Sequence, residues 1–435
     1  MKLVRCGWLV CGMVGILLGV SACTDSEGLG TATDTRSPSV AFDPPSQFDL
    51  ARAVTLTEDE ALQGTLHGTV LFFVSDGAVH ATDLAEKKPL WSTNLSEHTK
   101  QDYVRSPFVL GDAVVVASGE RREDGTALSN YVVGIAGFDA FTGKVVWRLS
   151  IPIYSLPLEM YDGRKSDPSE YRPHAWFGLT IAERDEGLLV SLGNGAGPYT
   201  TLMLDPSTGD LRWQADVMMI GTASGRYGVA APGDRNFVPG DAVALDLHTG
   251  EVVAQLSESS SARSRSFVDR YGDGSYIIFS IFDDSSTKRF LRFSSTDASV
   301  QPFDPADDDL RYMPEISCSL EPEQAVALCQ DEISNSAYGI DPSSGRVVWA
   351  LAEPRDEALT YATQFHGNVY GLLNKRGAVV SLDTGKVIES NLGVRPIGDI
   401  VNFSSMSIKI NEYGAIGMLG ETSATGKYVW VPTSR

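Results

Sequence analysis

Short apolar, β-branched runs alternate with clusters of Gly, Asp and Ser along most of this chain. DAVVVASG is followed by YVVGIAGFD, and GLLVSLG by TTLMLD. Runs of four to eight such residues bounded by turn formers read as strands. No long helical periodicity follows residue 23, so the pattern predicts an all-β chain. After such a pair of runs a turn recurs, followed by one more strand: Asp, four residues on Gly, four further on Trp. It is clearest as Asp139, Gly143, Trp147, as Asp205, Gly209, Trp213, and as Asp341, Gly345, Trp349. An aspartate can accept from backbone N–H groups ahead of it and glycine accepts positive φ, so the residue types fit a tight turn. The tryptophan that follows is large enough to fill a gap between neighbouring sheets.

Worn copies extend the series. Asp83 and Trp91 keep the spacing with Lys87 in the glycine position, and Gly426 and Trp430 keep its second half. Asp246 and Gly250 lead to Ala254, while Asp383 and Gly385 suggest a turn shortened by two residues, with Glu389 in the last slot. Gly209 to Gly250 is 41 residues, Gly345 to Gly385 is 40 and Gly385 to Gly426 is 41; the 95 residues from Gly250 to Gly345 leave room for one copy that has lost the motif. A repeat of about 40 residues and about four strands is the size of one propeller blade. The count predicts an eight-bladed β-propeller of four-stranded antiparallel blades over residues 48–435. Its tryptophans Trp91, Trp147, Trp213, Trp349 and Trp430 are expected to wedge between blades. The last unit offers three strand-like runs, Val401 to Ile410, Gly414 to Leu419 and Tyr428 to Pro432. Residues 48–57 are expected to supply its fourth strand and close the ring.

The phrases GFDAFTGKVVW, MLDPSTGDLRW, GIDPSSGRVVW and SLDTGKVIE resemble the tryptophan-docking motif of the PQQ-like (quinoprotein-type) β-propellers, over roughly residues 65–430. The resemblance implies the fold. It does not imply one activity, because the motif is shared by dehydrogenases and by propellers without a cofactor.

The N-terminus carries an address. Lys2 and Arg5 precede an apolar stretch from Gly7 to Val20, too short to span a membrane comfortably but suited to a secretory leader. It ends in Val20-Ser21-Ala22-Cys23, which resembles the bacterial lipobox, so residues 1–22 are expected to be removed and Cys23 lipidated. The competing reading is an ordinary leader cut near Ala22. Residues 23–47, rich in Ser, Thr, Asp, Gly and Pro, are expected to form a disordered tether. Thr24 rather than Asp after the cysteine looks like outer-membrane sorting.

The net charge of −21 becomes −23 when Lys2 and Arg5 leave with the leader. Such a surface repels nucleic acid, and no basic stripe offsets it. Beyond Cys23 only Cys318 and Cys329 remain, flanking a predicted hairpin. In an oxidising compartment they can form a disulfide; two free thiols or a metal pair are the alternatives, and no further Cys or His stands at ligand spacing.

The survey for catalysis is negative. The histidines His67, His80, His98, His174, His248 and His366 form no His-x-His or His-Glu-x-x-His pattern. Gly193 to Gly197 is followed by Pro198 and a strand, so it lacks the helix a phosphate loop needs. Asp269 and Asp273, and Asp304 with Asp307 to Asp309, lack the ligand order of a calcium loop. No Gly-x-Ser-x-Gly elbow is present. No catalytic, metal or cofactor residue is therefore assigned.

Two stretches exceed the repeat, at residues 118–131 and 154–178. The second places Tyr154, Met160, Tyr161, Tyr171 and Trp176 among charges and prolines. Loops on rigid scaffolds often carry recognition, and aromatics enrich interfaces. These side chains either meet a partner or pack back on the propeller. Three functions compete. The first is a monomeric, lipid-anchored scaffold for envelope proteins, similar to the BamB family of outer-membrane assembly lipoproteins. The second is a propeller module for a sugar or other small ligand. The third, a PQQ-dependent dehydrogenase, would resemble that family more if the chain were longer and held a vicinal cysteine pair, which it lacks.

Overall fold

The Asp–Gly turns hold the geometry that their residue types favour. In the computed structural model the glycine N–H of each turn donates to the carbonyl of the aspartate four residues earlier, at 2.7–2.8 Å for Gly143, Gly209, Gly250 and Gly345. The carboxylate meanwhile accepts the N–H of the residue two positions on, as Asp139 does from Phe141 and Asp246 from His248. The glycines sit at φ of +66° to +75°, where a side chain would be strained.

The structure describes residues 41 and 43–434, apart from 96–99, 105, 123–129, 153–179, 185–186, 193–199, 223–224, 233–241, 257–266, 270–275, 283–287, 304–315, 320, 322–323, 332–335, 352–357, 398–407 and 420–426. Among the described residues, apart from the short capped helix Glu58–Gln63 and the 3-10 turn Leu50–Arg52, the regular structure is β-sheet, antiparallel except for one pair of strands. The first sheet is Thr65–His67, Val70–Ser75, Ala78–Asp83 and Lys88–Asn94. The second has Lys100–Val104 and Phe108–Leu110 both on Ala113–Arg122, then Asn130–Asp139 and Val145–Pro152. The third runs from Thr180–Arg184 to Leu211–Ala215 and the fourth from Val217–Thr222 to Val252–Gln255.

The expected eight four-stranded blades are corrected to seven sheets among the described residues. The fifth sheet is eight strands wide. It holds two antiparallel meanders, Phe267–Asp269 to Val300–Phe303 and Ile316–Ser319 to Arg346–Leu351. Their first strands pair in parallel, Val268 opposite Cys318 and Asp269 opposite Ser319. Spacing along the chain counts meanders, but it does not reveal that two of them share hydrogen bonds. The sixth sheet runs from Leu359–Phe365 to Val387–Glu389. The seventh contains Lys409–Asn411, Gly414–Leu419 and Lys427–Pro432.

Strand Val54–Thr55 completes that last sheet, pairing Val54 with Trp430 and Thr55 with Val429. Phe48 bridges Thr433, and Leu56 N–H donates to Tyr428 at 2.9 Å. Residues 48–57 therefore join the last sheet, although Leu50–Arg52 within them is a 3-10 turn. Buried clusters lie between successive sheets. Val115, Ile135, Leu188 and Leu204 join the second to the third, and Ile416, Met418 and Trp430 join the last to Leu71 and Phe73 of the first. The ring closes through apolar packing and the N-terminal strand.

Candidate functional site

Four of the five motif tryptophans share one seat. The indole N–H of Trp91 donates to Ala140 O, that of Trp147 to Pro206 O, that of Trp213 to Leu247 O and that of Trp349 to Leu382 O, at 2.5–2.9 Å. Each acceptor follows the first residue of the next turn. The ring also covers that turn's glycine: a Cβ on Gly209 would lie 2.5 Å from Trp147. Trp430 differs. It stands on the third strand of its sheet, because Val54–Thr55 is the fourth, and its buried indole N–H has no partner among the described residues. It fills the seam as an apolar body, packed over Gly414 of its own sheet.

The turn carboxylates are likewise committed to structure. The hydroxyl and N–H of Thr142 hold Asp139 below the usual carboxylate range, and Ser207 and Arg212 do the same for Asp205. Burial pushes Asp246 up, but the Arg226 guanidinium at 2.6 Å and backbone N–H groups bring it down overall. Asp341 is raised by burial and lowered further by Ser343 and Ser344. Cys318 and Cys329 face each other on paired strands and are joined as a disulfide. Cys23, Tyr154, Met160, Tyr161, Tyr171 and Trp176 lie outside the described residues.

The sequence missed a clasp on the sixth sheet. Asp43 meets His366 Nδ1, and buried Tyr370 donates to Pro45 O at 2.6 Å. Ser434 N–H donates to Gln47 O at 3.0 Å. The tether expected to run through residue 47 is thus docked from Asp43 onward. Nothing local in the proline-rich segment signals this, because its partners lie more than 300 residues away. Beside the clasp, burial pushes the Glu321 carboxyl up against the pull of His366. At the seam between the last and first sheets, Lys409 Nζ donates to Leu62 O and Gly64 O at 2.8 and 2.6 Å, and burial lowers it to about 8. It ties the helix Glu58–Gln63 to the last sheet.

At the other end of strand Asn368–Leu373 is a concavity of about 410 Å³. Asn374, Lys375 and Arg376 form one wall, from the two-residue turn into Arg376–Ser381. Asn391, Gly393 and Arg395 contribute the other. Among the described residues no group of three or more His, Cys, Asp or Glu is placed to hold a metal ion. No described helix is long and apolar enough to cross a membrane.

A family model described as "Outer membrane protein assembly factor BamB" matches residues 39–223. That span includes the turns Asp139–Gly143–Trp147 and Asp205–Gly209–Trp213, from which the resemblance to PQQ-like repeats is read. No curated protein sequence matches it. Among solved structures it is similar to quinohemoprotein alcohol dehydrogenase ADHIIG from Pseudomonas putida HK5, with 11% identity, 88% of this chain and 75% of that chain covered, and a TM-score of 0.46. It is also similar to AztD from Citrobacter koseri, with 12% identity, 82% and 94% covered, and a TM-score of 0.46. The dihydro-heme d1 dehydrogenase NirN is similar over 80% of this chain and 77% of that one, with 12% identity and a TM-score of 0.43.

Proposed function

We propose that this protein is a lipid-anchored, non-catalytic β-propeller scaffold that binds protein partners in the bacterial cell envelope, at the outer membrane. The match of residues 39–223 to the assembly-factor family carries the reading. The lipobox-like Val20-Ser21-Ala22-Cys23 supports it, because it would tether the propeller by Cys23 alone. The committed chemistry of the turns agrees: the motif tryptophans and carboxylates hold sheets together, which leaves recognition to the loops. Tyr154, Met160, Tyr161, Tyr171 and Trp176 are the proposed contacts.

The test is made in the native envelope. Parent protein fractionates with the outer membrane and carries lipid by mass spectrometry, whereas Cys23→Ser is released in soluble form. Affinity capture from detergent-solubilised envelopes returns a defined protein partner, lost when Tyr161 and Trp176 are replaced by Ala. Unchanged fractionation of Cys23→Ser with no lipid on the parent would refute the anchor. Purified protein supplied with PQQ and calcium should not reduce dyes with alcohols or sugars. Turnover there would make it a dehydrogenase.

A further inference from the structure

The clasp on the sixth sheet gathers ionisable groups from separate parts of the chain around one imidazole. His366 and Gly367 form the two-residue turn between paired Phe365 and Asn368. Asp43 reaches His366 Nδ1 from the N-terminal segment, an ion pair whenever the ring is protonated. Glu321, from the connection between Ile316–Ser319 and Ala327–Asp331, lies against the N–H groups of His366 and Gly367. Tyr370, on the strand that follows the turn, donates to Pro45 O at 2.6 Å. Asp43, Glu321 and Tyr370 are thus the described titratable groups around the ring.

No single charge state suits all of them at every pH. Asp43 and His366 are both half exposed, so water and salt weaken their attraction, and it exists as an ion pair only while the ring holds its proton. Histidine side chains make that change between about pH 5 and 8. Glu321 Oε2 is buried with no hydrogen-bond partner among the described residues, a setting that favours the neutral acid. Burial pushes this carboxyl up, and the charge of Asp43 adds to the effect. Once ionised, Glu321 sets a second negative charge beside Asp43. It attracts a protonated His366 whether or not the segment is docked, so that attraction does not decide the outcome. The docked state therefore binds more protons than the free one, through both His366 and Glu321, and a state that binds more protons is favoured by acid. Burial also pushes the Tyr370 hydroxyl up, so it keeps its proton throughout and its bond to Pro45 O is the part of the clasp that pH does not change.

We propose that residues 43–47 are a pH-operated latch on the sixth sheet, docked in acid through protonated His366 and released in base, when His366 lets go of Asp43 and ionised Glu321 repels it. Release frees the segment upstream of the ring-closing strand Val54–Thr55 and uncovers the Tyr370 hydroxyl, while the strand pairing that closes the ring stays in place. Each freed residue adds up to about 3.5 Å of reach to the chain that precedes it. The latch is independent of the partner-binding role and of the anchor.

Electron paramagnetic resonance on the full chain tests it, with a nitroxide carried by p-acetylphenylalanine in place of Ala41, which is exposed just before the latch. Between pH 5.5 and pH 9 the ratio of slow to fast label motion should fall at least about tenfold. A second label in place of exposed Val146, on the second sheet, should not respond. Asp43→Asn and His366→Gln should free the segment already at pH 5.5. Glu321→Gln should keep it docked to higher pH, because the repelling charge never forms. Tyr370→Phe should loosen it at every pH and leave the pH dependence in place, which separates a structural contact from the titrating ones. Label motion that does not change with pH would overturn the proposal. So would release in acid, a response shared by the Val146 label, or a transition left unmoved by both His366→Gln and Glu321→Gln.

Discussion

Trp147 and Gly209 form one contact from two positions 62 residues apart in the sequence. The indole donates to Pro206 O and lies on the glycine, whose φ of +73° and missing side chain leave it room. Trp147→Ala should cost about 3–5 kcal/mol, as large-to-small changes at buried aromatics do. Gly209→Ala should also destabilise, because its methyl would stand 2.5 Å from the ring in a strained conformation. The two losses should not add: the double variant is expected to lie well short of their sum in denaturant unfolding, since each change breaks the same contact. Additive losses would mean that the seam does not depend on this pair. This level was legible in the sequence because the residue types are forced. Only glycine tolerates the turn and the cover together, and only a large ring with a donor reaches the next sheet. Trp430 shows the limit. Its local phrase matches the others, but its seat is decided by which strand of the sheet it occupies. That depends on Val54–Thr55, at the far end of the sequence.

At the scale of the element, two turns that looked lost or shortened are complete. Ser381 takes the aspartate position, and Gly385 N–H donates to its carbonyl at 2.9 Å, so that turn has its full length. In the fifth sheet Ser294 and Ala298 repeat the arrangement at 3.0 Å, with Ala298 held at φ +59° and Pro302 in the tryptophan position. The turn survives because backbone hydrogen bonds define it, and a serine and a strained alanine can meet them. A pattern that asks for Asp, Gly and Trp cannot see it. Pro302 brings no indole to the next meander; the parallel pairing of Val268 with Cys318 lies at that same junction. The Cys318–Cys329 disulfide pins one of the two strands that pair there. Reduction, or replacement of both cysteines by Ala, should lower stability by about 2–3 kcal/mol, the usual effect of opening a short loop. It should also speed amide exchange in Phe267–Asp269 as well as in Ile316–Ser319, while the third sheet stays protected. Exchange confined to the cysteine strand would show that the two meanders are independent.

For the whole molecule the decisive event is closure. Each meander buries one face on its neighbour, so an open array would leave two apolar faces in water. Closure depends on residues that precede the first sheet. Val54 and Thr55 give the last sheet its outer strand, Leu56 is buried at the last seam, and the Thr57–Glu60 capping box starts a helix that Lys409 holds at its far end. The clasp of Asp43 on His366 and of Pro45 on Tyr370 lies upstream of this strand. The two contributions separate by truncation. A chain beginning at residue 46 loses only the clasp. It leaves the buried Tyr370 hydroxyl without its acceptor, an effect of about 1–3 kcal/mol unless water replaces it. A chain beginning at residue 60 loses the outer strand, Leu56 and the start of the helix together, and exposes the edge of Lys427–Pro432. It should unfold at markedly lower denaturant concentration and aggregate through that edge, whereas the shorter truncation should remain monomeric and fold cooperatively. Added in trans, a peptide of residues 47–63 should restore part of the lost stability by reoccupying the edge. Equal midpoints for the two truncations would place closure in the clasp and not in the strand.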